Sequence, residues 1–184
     1  MTRIQRDWQD IFFAYGVDQT NRRIFLHGDI EEDSIKQVIK GIFLLQSASK
    51  EKPIEIYVGT CGGDEYEMFG LYDVIRSCDS HIITIGVGKV MSAGPLILAA
   101  GDERRAFPHT SFMIHESWYS IHEEKCSEHE AILKHNLSIN KKWAECMEDR
   151  TGTPAKIWLK MCKGPDEYFD VNKAKTLGII DKIL

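Results

Sequence analysis

Short apolar runs rich in β-branched residues alternate with stretches of helical periodicity from residue 22 onward, and this alternation restricts the fold most. The strand-like runs are RRIFLHG (22–28), IEIYVG (54–59), HIITIGVG (81–88), TSFMIH (110–115) and the closing IIDKIL (179–184). Between the first two, Ile35, Val38, Ile39, Ile42 and Phe43 recur at helical spacing and predict one buried stripe. After a Gly-Gly turn, a second helix turns Phe69, Tyr72 and Ile75 inward. SAGPLILAAG (92–101) predicts a short buried helix with Pro95 in its first turn. Ser127 and Glu130 form an S-x-x-E capping box for a long helix with Ile132, Ile139, Trp143 and Cys146 on one face, ended by Gly152. Thr153 and Pro154 start the next helix, which stops at Gly164-Pro165, and Asp170 caps a last one running to Gly178. RDWQDIFFAYG (6–16) predicts an N-terminal helix stopped by Gly16. Strands followed by helices in this rhythm predict an α/β fold with parallel crossovers.

A chain of 184 residues without a linker, repeat or low-complexity tract predicts one domain over 1–184. Its formal net charge of -5 speaks against a general nucleic-acid binder, because phosphate contacts need a basic surface. No apolar stretch approaches the roughly 18 residues of a membrane span, and the N-terminus carries acidic residues where a signal peptide needs an apolar core. The five cysteines, at 61, 78, 126, 146 and 162, are scattered and never spaced as CxxC, which predicts reduced thiols in a cytoplasmic protein.

Ser92 sits where the run IGVG gives way to small residues and a second apolar run. A serine there can simply cap the helix. It can also project as a nucleophile, with room left by Ala93 and Gly94 and with N–H groups behind it that favour an oxyanion. Of the seven histidines, His115 is placed best to serve as its base, at the end of an apolar strand; a strand-end histidine bonded to a carbonyl is the plainer alternative. The Gly62-Gly63 pair can be a tight connection, or can let a peptide backbone approach a free N–H.

Together these segments resemble the proteolytic subunit of the Clp protease, a self-compartmentalising serine peptidase. The resemblance runs from about residue 22 to the end and rests on five segments in order: RRIFLHGDIEED, IEIYVGTCGGDEYEMFGLYDVI, GVGKVMSAGPLILAAG, TSFMIHE and DEYFDVNKAKTLGIID. Residues 1–21 stand outside it as an N-terminal segment. It implies a crotonase-like core of ββα units with a strand-and-helix handle at about 116–150. It further implies seven-membered homo-oligomeric rings, stacked into a tetradecamer, that receive unfolded polypeptides from an AAA+ unfoldase of the ClpX, ClpA or ClpC type. No metal or organic cofactor is implied, and ATP is used only by the partner.

By the same resemblance Ser92, His115 and Asp166 form the catalytic triad, and the N–H groups of Gly63 and Ala93 form the oxyanion hole. The edge Gly62, Asp64, Glu65, Tyr66 is expected to pair with an extended substrate. Asp170 is the nearest rival to Asp166 and reads as a helix cap.

The chain departs from the family where Gly59, Thr60 and Cys61 replace Asn-Ser-Pro, which predicts a looser turn before Gly63. Lys89 replaces a glutamine and reads as a solvent-facing turn residue, with a Ser-Lys dyad as the other possibility. ESWYSIHEEKCSEHE (116–130) replaces a glycine-rich strand that joins two rings; within it His122, Cys126 and His129 have a spacing that could share one helical face as metal ligands. Rival readings are a catalytically silent ring subunit, an acyl-CoA hydratase or isomerase on the same fold, and a viral head-maturation protease of the same lineage.

Overall fold

The computed structural model describes residue 12, residues 14–118 and residues 125–184. Among these the strands are β1 (Val17–Asp18), β2 (Arg23–His27), β3 (Ile54–Thr60), β4 (Ile82–Met91), β5 (Glu103–Ala106), β6 (Ser111–Ile114), β7 (Glu167–Phe169) and β8 (Lys182–Ile183). The helices are α1 (Glu32–Ala48), α2 (Glu65–Ser77), α3 (Gly94–Ala99), α4 (Cys126–Thr151), α5 (Ala155–Cys162) and α6 (Val171–Thr176).

The sheet runs β1-β2-β3-β4-β5-β8, with β6 branching from β4 and β7 pairing β6. Pairing is parallel from β2 through β8, as the alternation of elements predicts, because each strand returns through a helix. Ile54, Ile56 and Val58 of β3 pack with the buried stripe of α1, and one apolar cluster extends from Val17 to Ile180. None of the helices among the described residues is long and apolar enough to cross a membrane.

β4 decides where the site lies. Its first half pairs with β5 as far as Gly86–Ala106, and its second half pairs with β6 from Lys89–Ser111 to Met91–Met113. The strand therefore outruns its expected end at Gly88, and Lys89 belongs to a ladder rather than a turn. Changing partners opens the sheet beside the last residues of β4, where the chain turns into α3.

Several expected boundaries shift for local reasons. The helix α4 begins at Cys126, because the Glu128 carboxylate accepts from the Lys125 N–H (3.2 Å); the Ser127–Glu130 box does not form. Thr153 does not cap α5: its hydroxyl donates to the Leu177 carbonyl (2.9 Å), and Glu148 accepts from the Ala155 N–H instead (3.0 Å). On α1, Phe43 is 55% exposed and Leu45 is buried in its place. The N-terminal helix lies mostly outside the described residues, but its end at Gly16 is seen, with the Gly16 N–H on the Phe12 carbonyl (2.9 Å).

Arg150, near the end of α4, donates to the carbonyls of Ala99 (3.0 Å) and Gly101 (2.9 Å) at the end of α3. Its own carbonyl accepts from Arg104 (2.6 Å). These bonds fix the base of the long helix to the short one that follows Ser92. The far half of α4 leaves Leu133 (48%) and Leu137 (53%) exposed.

Candidate active site

Ser92 stands between β4 and α3 with φ 57, a left-handed backbone that a serine adopts only under constraint. The constraint is visible: its N–H donates to the Met113 carbonyl (2.8 Å), continuing the β4–β6 ladder into the turn. That ladder pairs Met91 with Met113, so His115 follows only two residues later, just past the end of β6. The hydroxyl of Ser92 and Nε2 of His115 are 2.8 Å apart. The sharp turn thus lifts Oγ out of the sheet and the register brings the imidazole to it.

The same bookkeeping of register reaches Asp166. β6 and β7 are antiparallel with Ile114 opposite Glu167, so one step further His115 faces Asp166. Asp166 borders the same cavity as Ser92 and His115, yet is exposed and makes no hydrogen bond to the imidazole. Asp170 caps α6, its carboxylate accepting from the Lys173 N–H (2.9 Å).

The glycine turn closes the other wall. Ile30 donates to the Gly62 carbonyl (2.9 Å) and accepts from the Asp64 N–H (2.8 Å), a parallel bridge whose geometry directs the Gly63 N–H to the opposite side. A Cβ on Gly62 would lie 2.5 Å from Cβ of Ser92, and one on Gly63 would lie too close to the Ile30 carbonyl oxygen. Both positions have left-handed φ, 102 and 151. The turn is not loosened by the loss of proline: buried Thr60 accepts from the Gly62 N–H on its hydroxyl (2.9 Å). Ala93 caps α3, which places its N–H beside Ser92 at the helix start.

The expected extended edge from Gly62 to Tyr66 is shorter than the sequence suggested. Asp64 accepts from the N–H groups of Tyr66 (2.8 Å) and Glu67 (3.0 Å), so α2 begins at Glu65. Only Gly63 keeps a strand-like pairing, its bridge to Ile30, and Glu65 and Tyr66 line the cavity from the helix.

The cavity occupies about 810 Å³ between this turn, the Ser92 turn and the face of α4. Sequence reasoning missed the α4 side of it. There Asn140 accepts from the Ser117 hydroxyl (2.8 Å), and Tyr66 bonds to His135 (2.7 Å) with the rings stacked. Burial pushes the Glu65 carboxyl above its ordinary range, with the Asp64 charge adding, while Ser117, His115 and His135 draw it back. Cys61 also borders the cavity, its sulfur 2.8 Å from the Lys89 ammonium, so Lys89 is turned to Cys61 rather than to Ser92. Cys162 is inert by comparison, since burial pushes its thiol up to about 12. No group of three or more metal-ligating side chains occurs among the described residues; of the proposed ligand set, His122 lies outside them.

The family model for Clp protease matches residues 7–184, so the likeness begins well before residue 22 and takes in most of the segment that the sequence motifs leave outside it. The chain belongs to the Clp protease family. ATP-dependent Clp protease proteolytic subunit 2 of Prochlorococcus marinus (strain MIT 9312) is 31% identical over 181 residues, 96% of this chain and 86% of the relative. The subunit 2 of Treponema denticola is 31% identical over 166 residues, 88% of this chain and 81% of the relative. A solved structure of an Asn-to-Asp variant of ClpP1 from Listeria monocytogenes superposes with TM-score 0.82 at 26% identity, covering 90% of this chain and 92% of that one. The fold is therefore that of ClpP, and the cavity between the sheet and α4 lies in a Clp-family subunit.

Proposed function

We propose that this Clp-family chain is an active serine endopeptidase, the proteolytic subunit of an ATP-dependent Clp protease that cuts unfolded polypeptides. The observation that carries the reading is the 2.8 Å contact between Ser92 Oγ and His115 Nε2 at a strained turn. Oγ attacks the scissile carbonyl, His115 takes its proton and passes it to the leaving amine, and Asp166 steadies the imidazolium. Gly63 and Ala93 donate their N–H groups to the tetrahedral oxyanion, each worth about 3 kcal/mol in the transition state. The Gly62–Asp64 backbone holds the substrate strand through main-chain bonds, which makes binding tolerant of sequence. All these groups belong to the chain, so the reaction needs no metal or organic cofactor.

Asp166 completes the triad by moving toward His115 when substrate or a neighbouring subunit fills the cleft, since catalytic hydrogen bonds commonly tighten on binding. Phe43, Leu44, Leu133 and Leu137 are exposed apolar side chains on helices, as expected of a subunit that packs against copies of itself. We place it in heptameric rings, in the cytoplasm, fed by an AAA+ unfoldase that alone spends ATP.

The separation of Asp166 from His115 favours one other reading, a silent ring subunit. Labelling with a fluorophosphonate separates the two. An active enzyme takes one equivalent on Ser92, and His115→Ala abolishes it; a silent subunit takes none in either form. Native mass measurement on the same samples reports the ring.

A further inference from the structure

We propose that the cleft beside Ser92 is built for cationic side chains and that Glu65 is the residue that selects them. The inference rests on the peptidase reading and names the substrate class of the same site: polypeptides with arginine or lysine flanking the scissile bond.

The charges around the cavity are one-sided. Asp29, Glu31, Asp64, Glu65 and Asp166 border it, and among the described residues no lysine or arginine does. Of the five, Asp29, Glu31, Asp64 and Asp166 are exposed, and Asp64 is already engaged as the α2 cap. Glu65 is the half-buried one, with the imidazole of His115 among the charges it feels. Two lysines have other contacts: Lys89 meets the Cys61 sulfur, and Lys142 lies 4.3 Å over the ring of Phe69. A carboxylate set partly out of water beside the reacting bond, with no lysine or arginine among the described lining residues to pair with, is completed by a cationic substrate side chain.

The remaining wall suits the rest of such a side chain. Trp118, Trp143 and Tyr66 border the cavity, and aromatic faces attract guanidinium and ammonium groups. Ile139 and Met113 offer apolar surface on which an aliphatic stem can lie. Asn136, whose amide nitrogen is held by the Ile132 carbonyl (2.9 Å), supplies a further side-chain carbonyl oxygen on α4. A cavity meant only for leucine-like residues would leave Glu65 facing an apolar group, an arrangement that burial makes costly.

The test compares peptides that differ only in the residue before a fluorogenic leaving group: arginine, leucine or glutamate. The full chain is assayed after its Ser92 has been shown to take fluorophosphonate. The proposal expects kcat/KM for arginine to exceed that for leucine by roughly tenfold, with glutamate lowest. Glu65→Gln should collapse the arginine-to-leucine ratio, and Glu65→Arg should turn preference toward glutamate. A ratio independent of the substitution, or leucine preferred by the unaltered chain, overturns the proposal. The ratio is read within one protein preparation, so partial misfolding of a variant does not alter it. Anisotropy with labelled arginine and leucine peptides on the Ser92→Ala variant gives a readout free of turnover. Absence of labelling with arginine-selective binding ends the peptidase reading alone; labelling with unselective binding ends this one alone.

Discussion

Replacing Ser92 by alanine should lower peptidase turnover by on the order of 10⁴-fold or more while leaving the fold and the assembly unchanged. The size follows from the role proposed for Oγ: in that mechanism no acyl-enzyme forms without it, and the oxyanion donors and binding surfaces would retain only their share of rate enhancement. Structure should survive because the backbone N–H of residue 92, not its hydroxyl, makes the bond to Met113 that continues the β4–β6 ladder. Alanine must still adopt the left-handed φ of 57, so slight destabilisation is expected, and thermal unfolding measures it. Turnover of a fluorogenic peptide and native mass of the same sample check both halves of the expectation.

The second large effect is expected at Gly62. A methyl group there would stand 2.5 Å from Cβ of Ser92 and 2.9 Å from its Oγ, at a φ of 102 that an L side chain resists. Neither neighbour can yield without moving the nucleophile or its backbone, since Met91 O is also only 3.0 Å away. Gly62→Ala should therefore slow fluorophosphonate labelling of Ser92 by at least about 10²-fold, the scale of a displacement near 1 Å at a reacting centre. Unaltered labelling would mean that the turn and the nucleophile are not in the close contact described.

Both effects come from parts of the site that the sequence made legible, and for the same reason. Ser92 and the glycine pair lie at ends of strands, where small residues and a change of periodicity are local signals. His115 was legible as the terminus of an apolar run. The role of Thr60 was not, because a hydroxyl that accepts from the N–H two residues on is indistinguishable in sequence from any buried threonine. Loss of proline therefore looked like a loosened turn, although the chain supplies a different brace. Glu65 and Tyr66 belong to a helix rather than an extended edge because Asp64 caps it, and an aspartate after two glycines is no less common in a turn. Ser117, Asn140 and His135 entered from segments far away in sequence, brought together only when α4 packs across the cleft. Phe43 shows the limit of periodicity: a 3.6-residue spacing marks a stripe but not its width, and one flank of this stripe faces outward.

The parallel α/β order was readable throughout, since alternating strands and helices leave few crossovers to consider. The partner change along β4 was not. Residues Gly86 and Lys89 carry no pairing signal, yet that change opens the sheet for Ser92 and sets the register that leads to His115 and Asp166.

The most direct measurement is a crystal structure of the assembled protein bound to a peptide boronic acid. Boron is expected bonded to Ser92 Oγ, with one boronate oxygen within hydrogen-bond distance of the Gly63 and Ala93 N–H groups and Asp166 drawn onto His115. An inhibitor bound elsewhere, or a boronate on Ser92 with its oxygens turned away from both N–H groups, would contradict the proposed mechanism.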